Sequence, residues 1–551
     1  MKYLIIILQL LISTAFTNAQ SENSRYWIQF SDKNYSPFSL NSPEEFLSPE
    51  AIARRANQNI ALDESDLPVN ENYIQEVLAL VDGELIHKSK WFNAITIKTE
   101  RPRLLGNLDK LPFVVGYEQV KSLRSEVSIK PAFEITASSK SAIPFRENSN
   151  VYGESFDQIE MHRGHLLHAI GFSGEGMRIG VIDAGFSFVD ELSVFDKIRN
   201  EGRLHIGHDF VDGDEGLFHG SVHGTYVLST MAGWMPDSLI GTAPMADYWL
   251  FRTEDVDSEF PIEEDNWVAA AEMADSIGID VINSSLGYSL FDDTLYNHTY
   301  YNMDGASTRI SIAAGMAADK GILVVTSAGN SGDDAWRYIT APADAKNVLT
   351  VGAVNVNRQH AFFSSYGPTY DGRVKPNVVA LGEQSSFANL NNGIGQGNGT
   401  SFASPIMAGL VSCLWQAHPE LSVSELIQRI EKSSSVFYQP NDSLGYGIPD
   451  IWKAHEDLSN WHDRMSEEPV ILIYPNPCND QCRIIADNLS FEGYTFELVD
   501  ITGRACRINQ DYLISGNTCI KELDMSNRSR GMYYLKILDD QNTYVYPIIK
   551  Q

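Results

Sequence analysis

Between residues 179 and 351, short and mostly apolar runs alternate with longer runs of helical spacing. The apolar runs are 179–182, 248–251, 281–284, 322–326 and 348–351; helical runs such as 268–276 and 310–319 lie between them. A strand without polar alternation is buried on both faces, and parallel strands covered by helices achieve that burial. The pattern predicts an α/β fold, a parallel sheet with helices on both faces. Reactive groups in such a sheet belong at the carboxyl ends of the strands. Asp183, directly after 179–182, and Asn330, after 322–326, stand there.

A second constraint is Gly399-Thr-Ser-Phe-Ala-Ser-Pro405, which follows a loop rich in Gly and Asn and opens an apolar helical run. A serine at a loop-to-helix junction is most often a cap. It is also well placed as a nucleophile, because the helix dipole and the free N–H groups of the first turn favour negative charge beside it. Ser401 is therefore the candidate nucleophile. An acid and a base are available upstream: Asp183, and His223 in His223-Gly-Thr-Tyr-Val. His219, four residues before His223 with Gly220 between them, reads as surface loop, because the Gly-Thr pair follows His223. The order Asp, His, Ser differs from that of chymotrypsin-like enzymes and of α/β-hydrolases, and no Gly-x-Ser-x-Gly occurs in the chain.

These segments resemble a subtilase, a subtilisin-like serine protease. The resemblance runs from about Tyr152 to Ala454 and extends to Ile240-Gly-Thr-Ala-Pro244, Asn283-Ser-Ser-Leu-Gly287, Ser327-Ala-Gly-Asn330-Ser-Gly332, Phe363-Ser-Ser-Tyr-Gly-Pro368 and Gly372-Arg-Val-Lys-Pro376. It implies a serine endopeptidase in which Ser401 attacks, His223 moves the proton, Asp183 orients the imidazole and Asn330 stabilises the oxyanion. It also implies that Ser285, Leu286 and Gly287 pair with an extended protein or peptide substrate through main-chain hydrogen bonds. The family usually has Ser or Thr after the acid; Ala184 stands there, so one hydrogen bond to Asp183 is expected to be missing. The chemistry needs no cofactor. Many subtilases bind structural calcium, but no ligand set is assignable from the sequence. Two other readings exist, a catalytically silent surface-binding protein and a serine esterase on the same scaffold; the intact triad and the peptide-pairing strand speak against them.

The rest of the chain divides around this domain. Residues 1–19 read as a signal peptide, with Lys2, an apolar core and Thr17-Asn-Ala19 before a cut. That core is too short to span a bilayer, and no other stretch of the sequence is long and apolar enough to do so. Residues 20–120 read as a small α+β unit with strands at 26–30, 91–97 and 113–117 and helices from Ser48 and Asn70; in position and element order it resembles a subtilase propeptide. Residues 121–150 form a polar linker, 151–457 the peptidase-like domain, and 458–469 a charged connector. Short runs at 496–499, 500–503, 532–537 and 544–549 make 470–551 a small β-sandwich. Tyr474-Pro-Asn-Pro477, Asp500-Ile-Thr-Gly503 and Gly531-Met-Tyr-Tyr-Leu-Lys resemble the C-terminal sorting domain of the bacterial type IX secretion system. The resemblance implies contact with that machinery and export through the periplasm of a Gram-negative bacterium to the surface or medium. Four of the five cysteines, Cys478, Cys482, Cys506 and Cys519, fall in this unit, an even count that points to disulfides in an exported protein. A formal net charge of −31 argues against nucleic acid as a partner. The protein is expected to act as a monomer.

Overall fold

The computed structural model describes residues 24–121, 151–213, 216–458 and most of 470–550. The expected signal peptide and nearly all of the linker and connector lie outside the described residues. The N-terminal unit contains β1 (Arg25–Phe30), α1 (Pro49–Asn57), α2 (Glu71–Val81), β2 (Gly83–Ser89), β3 (Ala94–Thr99) and β4 (Val114–Lys121). Its antiparallel sheet runs β2-β3-β1-β4. Ser48 is the expected cap, its Oγ accepting from Ala51 N at 3.1 Å, and Asn70 also proves to be a cap, its Oδ1 accepting from Asn72 N at 2.9 Å. α2 buries Ile74, Val77 and Val81 against the sheet and leaves Leu78 half-buried. The sequence reading missed β2 and began β3 too early. β2 is polar because it faces a second unit, and Trp91 leaves the sheet to pack into that unit's core.

The second unit is built on seven parallel strands: β5 (Arg178–Asp183), β6 (Leu204–Asp209), β7 (Asp247–Arg252), β8 (Val281–Ser284), β9 (Leu323–Ser327), β10 (Leu349–Val354) and β11 (Val378–Leu381). Their order is β11-β10-β9-β8-β5-β7-β6. The five expected strands are all present; the missed β6 and β11 are the two edges. Alternate residues enter opposite cores. Val181, Val281 and Val325 pack with α3 (His223–Ala232) and α6 (Thr400–Ala417); Ile182, Ile282 and Val324 pack with α4 (Ile262–Ile277) and α5 (Arg309–Asp319). The chain runs from β5 to one side of the sheet and returns to β8 on the other, so a crevice opens between their carboxyl ends.

The N-terminal unit covers α4, which carries five buried acidic residues: Glu263, Glu264, Asp265, Glu272 and Asp275. Asp275 meets Arg54 at 2.6 Å, Arg55 at 2.8 Å and Lys90 at 2.8 Å, all three from the N-terminal unit. Burial alone would raise its pKa, but Lys90, Arg54 and Arg55 together hold it well below the usual carboxylate range. Arg54 also donates to the carbonyls of Ile279 and Lys320, just past the ends of α4 and α5. Glu272 accepts from the Lys90 and Trp91 N–H groups and from Ser89 Oγ. Burial pushes Glu272 up to about 7, against the pull of Lys90 and of these hydrogen bonds.

The C-terminal unit is a sandwich of two four-stranded sheets. One contains Val470–Tyr474, Gln481–Asp487, Thr518–Asp524 and Leu513–Ser515; the other contains Ala505–Cys506, Thr495–Asp500, Gly531–Leu538 and Thr543–Lys550. Ile484, Phe496, Leu498, Leu535 and Ile537 fill the space between them. Residues 500–503 form a turn, not a strand: Gly503 N donates to Asp500 O at 2.9 Å, and Asp500 Oδ1 accepts from Thr502. The disulfide expectation is also corrected for the described thiols. Cys478, Cys482 and Cys506 are free; the first two are buried in the core, and Cys506 lies on the sheet opposite Cys482. The side chain of Cys519 is outside the described residues. Cys413 is buried packing, as expected, with Sγ 3.3 Å from Thr242 O.

The covered state of Glu272 makes association of the two units pH-dependent. A carboxyl raised from 4.5 to about 7 favours association fully below its free pKa and loses that contribution as pH rises through about 7. Once the linker is cut, the N-terminal unit should be retained better at about pH 5 than at about pH 8. Gel filtration of the nicked protein at both pH values measures this; equal retention would remove Glu272 from the account.

Candidate active site

β5 delivers Asp183 to the carboxyl edge of the sheet, and α3 begins with His223. Two glycines bring them together. An added Cβ on Gly185 (φ +144°) would lie 2.4 Å from Ser221 N, and one on Gly224 would lie 2.5 Å from Gly185 O. The two loops therefore pack backbone against backbone. His223 Nδ1 lies 2.6 Å from Asp183 Oδ1, with the Asp side chain fully buried and the imidazole 9% exposed. An ionised carboxylate only accepts, so Nδ1 carries the proton and Nε2 is left as the basic nitrogen. Ala184 N donates to the same Asp183 Oδ1 at 2.8 Å. Oδ2 is buried without a hydrogen-bond partner, as the alanine at 184 leads one to expect. His219 lies outside the pair, with its Nε2 2.9 Å from Gly216 O and a side chain 40% exposed.

Ser401 is the second residue of α6, and its N–H belongs to the first turn, where no helical acceptor exists. Its peptide is fixed from the side. Pro405 has no N–H to return to the Ser401 carbonyl, and Ser285 Oγ donates to that carbonyl instead, at 3.0 Å. In return Ser401 Oγ donates to Ser285 O at 3.3 Å. Asn283 supports both partners, donating to Ser285 Oγ at 3.1 Å and accepting from Ser404 Oγ at 2.8 Å. Leu286 is half-buried and Gly287 exposed, so the backbone beyond β8 borders the crevice.

Asn330 is oriented by Thr400, which the sequence reading did not single out. Thr400 N and Oγ1 donate to Asn330 Oδ1 at 2.8 and 2.9 Å. With the amide oxygen engaged, Nδ2 is turned to donate elsewhere. A Cβ on Gly399 (φ +155°) would come within 3.6 Å of Ser401 N and 3.7 Å of Asn330 Nδ2. The two donors thus border one space, and glycine keeps it open.

A second carboxyl was also missed, although it follows the carboxyl end of β7. Glu254 accepts from Tyr288 Oη, one residue past the 285–287 segment, and from Thr253 Oγ1 at 3.0 Å. Burial pushes it up to about 7 against these hydrogen bonds; the charge of Asp183 adds to the rise and that of His223 opposes it. Glu254, Glu259 and Glu263 form one group able to hold a cation; Asp209, Asp212 and His219 form another. In the second group the Arg252 guanidinium already bridges Asp209 and Asp212 at 2.8 and 2.6 Å.

Comparison with known proteins gives three family matches along the chain. The model of the subtilase family matches residues 174–447. That of the peptidase S8 propeptide domain of Bacteroidota matches 25–134, and that of a secretion system C-terminal sorting domain matches 472–551. Subtilisin DY of Bacillus licheniformis is 30% identical over 291 residues, 52% of this chain and 93% of that protein. Subtilisin BL of Lederbergia lenta is 29% identical over 271 residues, 49% of this chain and 87% of that protein. Among solved structures, MycP1 from Mycobacterium smegmatis is 22% identical with a TM-score of 0.44, over 56% of this chain and 86% of that one.

The clamp on Asn330 generates a prediction. Replacing Asn330 by Ala removes one donor from the space beside Ser401. It should cost about 2.7–4 kcal/mol of transition-state stabilisation, read as a fall of about 10²–10³ in kcat with KM little changed. Steady-state kinetics on a chromogenic peptide measures it; a change confined to KM would move Asn330 from the chemistry to substrate binding.

Proposed function

The chain belongs to the subtilase family of serine peptidases, and from that premise we propose that it is an endopeptidase using an Asp183-His223-Ser401 triad, made as a precursor and exported by type IX secretion. The observation that carries the reading is the 2.6 Å pair of Asp183 and His223 at the sheet's carboxyl edge, facing a helix that opens with Ser401. Ser401 Oγ attacks the peptide carbonyl as His223 Nε2 takes its proton. Asp183 Oδ1 holds Nδ1–H and stabilises the imidazolium. The oxyanion is received by Asn330 Nδ2 and Ser401 N. His223 then gives its proton to the departing amine, leaving an acyl group on Ser401 that water removes by the same relay in reverse. The substrate backbone lies along Ser285, Leu286 and Gly287. Every proton carrier is a side chain, so the chemistry needs no cofactor, and any calcium is structural.

The N-terminal unit is a propeptide domain that docks on α4. We take its removal to be autocatalytic, because the linker is tethered to the same molecule as Ser401 and its effective concentration is high. Ser401→Ala should accumulate as a folded precursor lacking only the signal peptide, whereas wild type is cut between about residues 121 and 150. N-terminal sequencing of both purified proteins decides this; equal trimming of the variant would assign maturation to another protease.

The sorting domain directs the protein through the periplasm to the cell surface or medium. Deleting the chain from residue 470 onward should leave a protease that labels with a fluorophosphonate but stays in the periplasm. Cell fractionation tests it, and surface delivery of the truncated protein would overturn the export reading.

A further inference from the structure

In the middle of the sheet, Asn283 stands where both neighbouring strands carry valine. Its register partners are Val181 of β5 and Val325 of β9. Both valines belong to the apolar core shared with α6. Residues in register on parallel strands share a face, so the amide of Asn283 enters that same core, where it is fully buried. An amide at this place carries a desolvation cost that a third valine would not. The reason for it lies in what its two ends hold.

An asparagine amide accepts at one end and donates at the other. Oδ1 accepts from Ser404 Oγ at 2.8 Å, and Nδ2 donates to Ser285 Oγ at 3.1 Å. The single proton of the Ser404 hydroxyl goes to Oδ1, and that contact sets which way round the amide lies. Ser285 Oγ also has a single proton. It receives from Nδ2, and its own proton goes to Ser401 O, 3.0 Å away. Donation therefore runs one way, from Ser404 to Asn283 to Ser285 to the Ser401 carbonyl. A reversed amide would draw the Ser285 proton onto Oδ1. The Ser401 carbonyl would then lose this donor, and Pro405 supplies none in its place. The nucleophile is referred to Ser285 a second time, because Ser401 Oγ donates to Ser285 O at 3.3 Å.

We propose that Asn283 is a positioning residue for the attack: by fixing the direction of the Ser285 proton, it holds the Ser401 peptide in the orientation from which Oγ reaches a substrate carbonyl. It touches no substrate and acts through the Ser285 hydroxyl. Such a residue sets how well the nucleophile is aimed once substrate is bound, so its loss is read in kcat and leaves KM in place. The proposal rests on the peptidase reading above.

The test is a double-mutant cycle in the full-length matured protein on one chromogenic peptide. Each kcat is counted per site titrated by a fluorophosphonate, which removes misfolded molecules from the comparison. Asn283→Leu keeps the volume approximately and removes both ends of the amide. It should lower kcat by about tenfold to a hundredfold, with KM changed by less than about twofold. Ser404→Ala frees the amide to reverse and should lower kcat by about threefold to tenfold. Ser285→Ala removes the hydroxyl through which both act. In that background Asn283→Leu and Ser404→Ala should each lower kcat by less than about twofold further. Additive losses would mean that Asn283 acts through packing and would overturn the proposal, as would an unchanged kcat in Asn283→Leu or a change confined to KM. If Asn283→Leu does not fold, the cycle of Ser404→Ala with Ser285→Ala decides by itself. Labelling separates the two levels. If wild type does not label at Ser401, the peptidase reading fails; if wild type labels and the cycle is additive, only the role of Asn283 fails.

Discussion

The central sheet is parallel throughout, and neither face can be left to water. Two helical layers answer that demand, α3 and α6 on one face and α4 and α5 on the other. The proposed reactive groups follow from the same arrangement. β5 and β8 end side by side where the strand order reverses, so Asp183 and the Ser285 segment emerge together. α3 and α6 enter the same layer with His223 and Ser401 in their first turns.

Sequence periodicity made the interior legible and the margins less so. Central runs such as 322–325, Ile-Leu-Val-Val, are unbroken and apolar because both faces are buried. β6, an edge strand, carries His205 and His208 and lost that signature. β2 was missed for a related reason: its polar residues face another unit of the same chain, a partner that no local pattern announces. Asp183, His223, Ser401 and Asn330 were legible because each stands at a strand end or helix start with glycine neighbours that the close packing requires. Thr400 and Glu254 were not, since each is placed by contacts with residues tens of positions away in sequence.

Electrostatics links the units. Buried carboxylates along α4 would be costly in an isolated domain, and replacing water by Arg54, Arg55 and Lys90 offsets the cost only while the N-terminal unit stays in place. Asp66 of the N-terminal unit is itself held by Arg55 and by Lys320 of the second unit, so charges are exchanged in both directions. Cover and catalytic domain are matched to each other more tightly than two independently stable modules would need to be.

Pro405 interrupts the one helical hydrogen bond that would have tied the Ser401 carbonyl to the next turn of α6, and Ser285 has taken that place. The helix carries the serine, but the sheet aims it. Substitutions along 406–415, where every side chain is buried, therefore act on how firmly the layer is held and leave the hold of Ser285 on the Ser401 peptide alone. The two properties can drift separately in evolution: the lower helix can be repacked for a hotter or colder habitat while the bond-cutting geometry is inherited unchanged.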